Sequence, residues 1–594
     1  MDFETVLYDL KPILDLGQNA GPIDQDSLAR SIATLGTVAV AAREPENRNY
    51  IGQSGVLQKL VLALGWTLKV VFTGLELPGG LQKEDLIELV SELVRCIANC
   101  VADIDENREI VVSAGTDLFD SQIPNALLMA DSEVRMKLMV LLKNLCIGNE
   151  EYTKMCALSC TRPMIAVLEE LFRGDLRATD WDHVFVALDI LVDFAKYSYL
   201  EFSLPDFALL VSVLRSAVFS LKPKSADDND EDEDAFSESL QLLTDVLEIV
   251  SSQNEKLNFS DVTLTFKVLD DLFSILERAQ LEETYENKLI ILRRLVSIIG
   301  YISSNPSSTN LLEREIAYKA IHKDSPGYTL AAAMILLSNS IASRSDVDEI
   351  TSHINFRKII ENAVKLKDAV QLQGFLDISK KLLNPDSVLE LRPEDLQLLF
   401  VSLKTANDQC TYYQNLTPLI EALESKLAAL LSGSKLRLAL ADDNWRSVVL
   451  ANSGTPVCLI LGKLAISSQE VDPKIADELW ASAFRPTKPG FQSQTVSPEY
   501  LFHLFKAVGL YLHRQKEMTL NLFIQQYAME IYNVLDTART LQQRNDAASA
   551  GILNNATYVA GLLLEVLRQR TLSSDEEKLH DCAEKLLKKQ KIQV

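Results

Sequence analysis

The chain has 594 residues, of which 47% are hydrophobic, and a formal net charge of -25. That length is too great for one compact core and calls for several domains or an extended array. The apolar share excludes wholesale disorder, and the acidity argues against nucleic acid as a general partner because it repels phosphate.

Only 22 Gly and 18 Pro punctuate the chain, which favours helix over strand. The opening MDFETVLYDL has neither the basic region and apolar core of a signal peptide nor a Gly after Met, and the closing KKQKIQV lacks the Cys of a prenylation box. Runs such as VLQKLVLALGWTLKVVF are broken by Lys59 and Lys69, so no transmembrane segment is expected. Eight scattered Cys suit a reducing compartment, and a cytoplasmic location is expected.

In chain order, the first strong signal is a repeat. ENRNYIGQSGVLQKLV from Glu46 matches ENREIVVSAGTDLFDS from Glu106, and each follows a long apolar helix pattern. LKNLCIGNEEYTKMCA repeats the pattern again, with Asn144 standing 45 residues beyond Asn99. A period of about 40–47 residues is that of armadillo and HEAT units. A Gly/Pro-rich insertion, FTGLELPGGLQK, lengthens the first interval. Fainter echoes start at Leu295, Leu330 and Val457, and Val186–Phe194, Phe502–Leu512 and Tyr558–Leu567 read as buried helices by their 3–4 spacing. The expectation is an all-α, armadillo/HEAT-type right-handed superhelical solenoid.

SADDNDEDEDAFSES carries seven acids in the eight positions from Asp227 to Asp234, a block that repels itself and stays solvated. The expected division is therefore N-terminal armadillo repeats over 1–225, an acidic disordered loop over 226–236, central armadillo repeats over 237–440 and C-terminal helical repeats over 441–594.

Side-chain chemistry finds no support. There is no phosphate-binding Gly-x-x-x-x-Gly-Lys-Ser/Thr loop and no His-Glu-x-x-His, and the six His are dispersed. Cys96 with Cys100, and Cys156 with Cys160, share helical faces, which for Cys means core packing. No catalytic residue, metal site or cofactor is expected, and the chain does not read as an enzyme.

The helix leading to Asn99 offers a different kind of site. Leu86, Leu89, Val90, Leu93, Val94, Ile97 and Ala98 form its apolar sides, while Glu88, Glu92, Arg95, Asn99 and Asp103 make one polar stripe. In a solenoid such a stripe faces the concave groove, where an Asn offers both donor and acceptor and acids favour cations. The same stripe could be an ordinary solvated face, or its Asn could bond backbone groups at the end of each groove helix. Candidate partner-binding residues are Glu88, Glu92, Asn99 and Asp103, with Asn144 and Asn339 at the corresponding places further on; the resemblance set out next adds Ser343.

ANCVADIDENREIV, KNLCIGNEEYTKMC and LLSNSIASRSDVDEI look like armadillo repeats in which an Asn ends the groove helix. The order of features resembles the Smg GDP-dissociation stimulator family, and within it the fungal bud-emergence branch that binds Rho-type GTPases. That family has an acid-rich interruption midway, then a repeat reading Ala-Ile-Ala-Asn-Phe-Ala-Arg-Asn whose two Asn belong to the GTPase-binding surface. Here LLSNSIASRSD keeps the first as Asn339 and puts Ser343 at the second. The resemblance implies binding of Rho/Ras-type small GTPases with basic, including prenylated, tails. It also implies chaperone or scaffold work in cell polarity and signalling, with guanine nucleotide exchange that needs no catalytic side chain. Two alternatives are an armadillo transport adaptor for basic peptides and a scaffold for signalling kinases, both indifferent to nucleotide state.

Overall fold

In a computed structural model of the chain, the described residues are 3–15, 23–72, 81–115, 117–173, 180–220, 230–253, 255, 257–281, 287–305, 311–452, 454–467, 471–487, 497–544, 549–568 and 570–590. They are helical almost throughout, with no strand among them. The chain separates into two units, Met1–Ile316 and Ala317–Val594, a division different from the expected boundaries at 225 and 440.

The first unit is two layers of helices. Its inner layer runs Phe3–Leu14, Gln25–Ala41, Lys83–Val101, Ser132–Cys146, Trp181–Ser198, Asp230–Gln253 and Lys288–Ser304, each packed on the next. The outer layer contains Val56–Phe72, Ile123–Met129, Glu150–Arg173, Leu204–Phe219 and Val262–Leu281. Short helices, Pro45–Gln53 and Asp105–Ala114, open the first two full repeats and make them armadillo triplets. In the third repeat the first two helices fuse into Glu150–Arg173, and the later repeats of this unit are helix pairs of the HEAT kind.

The second unit is more regular than its sequence suggests. Arg344–His353, Phe356–Ala363 and Ala369–Leu382 form a triplet. Pro385–Glu390, Pro393–Gln409 and Thr417–Leu430 form the next, followed by Gly433–Ala441, Asp443–Asn452 and Thr455–Ile466. The inner row of this unit is Gly327–Asn339, Ala369–Leu382, Thr417–Leu430, Thr455–Ile466, Pro498–Arg514 and Ala550–Leu567. Local chemistry sets many of the helix starts. Asp24, Asp131, Ser203 and Asp368 accept hydrogen bonds from the first-turn backbone, and Pro45, Pro385, Pro393 and Pro498 occupy first-turn positions that have no N–H to satisfy.

Two expectations change here. Residues 226–229 of the acidic segment lie outside the described residues, but Asp230–Phe236 form the first turns of the Asp230–Gln253 helix and not a loop. Carboxylates at a helix N-terminus complement its dipole, and the apolar residues from Phe236 onward anchor the helix. Where no transmembrane segment is expected from the sequence, one helix among the described residues, Ala550–Leu567, is long and apolar enough to cross a membrane by length and composition. Here Ile552, Val559, Leu563 and Leu567 are buried, and the helix packs on Pro498–Arg514 and Ser574–Gln590.

Candidate groove and its backbone-binding side chains

The Lys83–Val101 helix packs between Gln25–Ala41 and Ser132–Cys146 and buries every apolar position expected of it. Its polar stripe borders a cleft of about 320 Å³, lined on the opposite side by Leu28, Ala29, Ile32, Ala33 and Gly36 of the Gln25–Ala41 helix. Asp85, Glu88, Glu92 and Arg95 supply the polar wall. The acids are unequal. Glu92 forms an ion pair with Arg95, whose guanidinium also donates to the Gly36 carbonyl at 3.3 Å, and Lys137 stands 4.0 Å from its other oxygen. Glu88 is exposed. The Glu133 carboxyl, on the Ser132–Cys146 helix, is held under the usual carboxylate range by its hydrogen bond from Lys137. Of the acidic stripe, then, Glu88 faces no cation within 4.0 Å among the described residues, while Glu92 is already paired with Arg95.

The asparagines do something else. Asn99 Nδ2 donates to the Ala39 carbonyl at 2.8 Å, and Asn144 Nδ2 donates to the Ala98 carbonyl at 3.0 Å. Ala39 and Ala98 are each among the last four residues of their helices, whose carbonyls have no partner within the helix. Each Asn thus completes the end of the preceding inner helix. The rival reading, in which Asn bonds backbone at the groove-helix ends, is what the structure shows at these two positions.

Asp103 is not on the stripe. The helix ends at Val101, and Asp103 lies beyond it in the left-handed region at φ 60°, its side chain 88% exposed and 3.7 Å from Arg48. Asp tolerates that conformation better than most residues, which lets the chain turn sharply without a Gly. Asn339 and Ser343 likewise do not share a helix. Asn339 is the half-buried last residue of Gly327–Asn339. Ser343 caps the start of Arg344–His353, exchanging hydrogen bonds with Asp346 in a capping box. These two belong to the second unit; Glu88, Glu92, Asn99, Asp103 and Asn144 belong to the first.

The Glu-Asn-Arg motif, legible in the sequence only as a repeat marker, proves to be a set of backbone clamps. Asn47 Nδ2 donates to the Ala41 carbonyl at 2.9 Å, and Asn107 Nδ2 to that of Cys100 at 2.7 Å. Each Arg then reaches in two directions. Arg48 binds the Ala42 and Ala102 carbonyls, both at 2.7 Å; Arg108 binds those of Val101 at 3.2 Å and Ile147 at 3.1 Å. One carbonyl lies at the end of the preceding inner helix and the other at the end of the next. In the third repeat Thr153 takes the Asn place and bonds the Cys146 carbonyl at 3.2 Å.

In the second unit, lysines do the work of the groove asparagines, which a search for Asn could not find. Lys381 Nζ binds the Ser338 carbonyl and Lys426 Nζ that of Lys380, each at 2.6 Å; Lys463 Nζ binds the carbonyls of Ala429 and, at 2.6 Å, Leu431. In the sequence only Lys381 and Lys426 stand one 45-residue repeat apart; Lys463 follows after 37. Among the described residues no group of three or more His, Cys, Asp or Glu side chains could hold a metal ion. Cys96, Cys100, Cys156 and Cys160 are all buried; a hydrogen bond with a neighbouring thiol (Cys100 for Cys96, Cys146 for Cys156) and then burial push the Cys96 and Cys156 thiols upward.

Helical triplets stacked in two layers, with side-chain clamps at the inner-helix ends, define an armadillo-type repeat protein. Models of the BEM4 N-terminal domain and the BEM4 C-terminal domain match residues 1–251 and 270–586, and the chain belongs to the BEM4 family. Among curated proteins, the GTPase-GDP dissociation stimulator BEM4 of Saccharomyces cerevisiae is 29% identical over 98% of this chain and 99% of its own length. Among solved structures, the SYS-1/POP-1 complex overlaps 98% of this chain and 99% of the matched chain at 11% identity and a TM-score of 0.47. A designed armadillo repeat protein in complex with the peptide (KR)4 overlaps 49% and 99% at 15% identity and a TM-score of 0.29.

Proposed function

We propose that this chain binds small GTPases of the Rho/Ras type and regulates or escorts them in the cytoplasm, without catalytic side chains of its own. The observation that carries this reading is the end-to-end relation to a GTPase-GDP dissociation stimulator. The net charge of -25 and the exposed Glu88 beside an open cleft support attraction of the Lys/Arg-rich tail such GTPases carry. Exchange follows from differential affinity alone: a protein that binds the nucleotide-free GTPase more tightly than the loaded form shifts the equilibrium toward release. The proposal extends to GTPases with prenylated tails and to a scaffold role in polarity signalling, on the strength of the family relation alone.

A pull-down with GDP-loaded, GTP-loaded and nucleotide-free Rho- and Ras-type GTPases tests the reading. Preference for the nucleotide-free form is the expected result. Equal capture of all forms, or capture of a basic peptide as tight as that of the whole GTPase, would move the function to an adaptor or scaffold.

A further inference from the structure

The lysines of the second unit carry more charge than their structural task requires. In the first unit a neutral amide completes the same helix ends, at Asn99 and Asn144. Lys381, Lys426 and Lys463 replace it with ammonium groups, each with three N–H donors of which one or two are spent on carbonyls. All three are half-buried, and among the described residues none forms an ion pair with a carboxylate within 4.0 Å. Lys380 and Arg344 lie close enough to Lys426 for their charges to repel it, and burial lowers the affinity of Lys381, Lys426 and Lys463 for their protons. Asp377, 3.5 Å from Lys380, offsets part of this at Lys381 only. Lys381 and Lys463 sit in the last turns of Ala369–Leu382 and Thr455–Ile466, and Lys426 just before the last turn of Thr417–Leu430; each ammonium meets a carbonyl at the C-terminal end of the preceding inner helix, where the dipole is negative and holds a cation in place.

We propose that the Lys381–Lys426–Lys463 row is a docking strip for an extended acidic segment of a partner protein. Neighbouring helices stand about 8–10 Å apart and an extended chain advances about 3.3–3.6 Å per residue, so a carboxylate at about every third position meets each lysine in turn. A site of this kind suits Glu or Asp because it offers an unpaired cation with N–H donors to spare, and charge-assisted bonds are the strong ones. This site is separate from the acidic cleft of the first unit and does not rest on the GTPase reading.

The test uses the full chain and a fluorescein-labelled (Glu-Gly-Ser)6 peptide, read by anisotropy. Saturable binding is expected, weakening at least tenfold between about 50 and 300 mM salt. The K381N/K426N/K463N variant keeps an amide able to bond the carbonyls and should lose at least tenfold in affinity. The K381R/K426R/K463R variant keeps the charge and should retain most of it. Three exposed lysines elsewhere in the unit, replaced as K474N/K516N/K578N, should cost less than twofold. Wild-type affinity in the first variant overturns the proposal, and so does an equal loss in the control, which would mean diffuse charge attraction. Binding of phosphatidylserine vesicles with none of the peptide also overturns it in favour of a lipid surface. If the triple Asn variant fails to fold, the three single variants decide: at least a threefold loss in each is expected, and no loss in any ends the idea.

Discussion

A side-chain carbon on Gly52 would stand 1.9 Å from Oδ1 of Asn107, so these two residues of successive repeats fix each other's identity. Asn107 is buried at 2% exposure and donates both amide hydrogens, to the Arg48 carbonyl at 3.0 Å and the Cys100 carbonyl at 2.7 Å. Its amide must lie flat against the helix that carries Gly52, and only a residue without a side chain leaves the room.

Asn107→Ala is therefore expected to destabilise the first unit by about 2–3 kcal/mol, because two buried carbonyls lose their partner. Gly52→Ala should act in the same direction by displacing the amide. Thermal unfolding of both variants is the check; a melting temperature unchanged in either would show that the contact relaxes freely.

Asn99→Ala and Asn144→Ala are each expected to cost about 0.5–1.5 kcal/mol of stability, the net worth of one neutral hydrogen bond. Affinity for a bound GTPase should fall only as far as the folded fraction falls. Melting curves and affinities measured on the same preparations decide the matter. Binding lost with stability intact would return both residues to a partner surface.

Glu88→Lys should leave stability within about 0.5 kcal/mol, as exposed substitutions do. It should weaken capture of a basic-tailed GTPase severalfold, chiefly by slowing association, and flatten the salt dependence. Association rates at two ionic strengths test it, and rates equal to those of the unaltered protein would remove the cleft from the encounter. Glu92→Gln should show little of this effect on binding, because Glu92 already faces Arg95 and Lys137.

Glu424 gives the second unit a dependence on pH. Its side chain is fully buried and accepts one hydrogen bond from Asn452 at 3.1 Å, and burial raises its carboxyl from 4.5 to about 8. The folded state thus holds a proton that the unfolded chain releases above about 4.5, so this group favours folding at low pH and costs stability as pH rises toward about 8. Glu424→Gln, which cannot ionise, should match the unaltered protein near pH 4.5 and melt higher at pH 8. Parallel melting curves across that range would rule out the buried proton.

Much of the fold could be read from the chain because helix pattern and repeat spacing are local or strictly periodic. The stripe through Glu88, Glu92, Arg95 and Asn99 was visible for that reason. What Asn99 bonds was not, because its acceptor, Ala39, lies 60 residues upstream and the distance depends on the inserted loop between them. Asp103 was misplaced because nothing short of the backbone angle shows that a helix stops two residues before it. The helix at Asp230 is not legible from charge density alone, because acids that repel one another in a loop are stabilising at a helix start. The lysine row is not legible from a recurring Asn, because the task of completing a helix end accepts any donor that reaches.

The reach of Arg48 and Arg108 also governs how damage spreads. Each guanidinium holds the ends of two consecutive inner helices, so opening one repeat releases a carbonyl in its neighbour and in no repeat farther away. Loosening in this part of the chain should therefore advance stepwise. Amide exchange after Arg108→Ala should quicken at the ends of Lys83–Val101 and Ser132–Cys146 first, while Gln25–Ala41, still held through Arg48 at Ala42, should retain its protection. A disturbance confined in this way gives the stack a direction in which it frays, and the amino acid at each clamp sets how far the fraying runs.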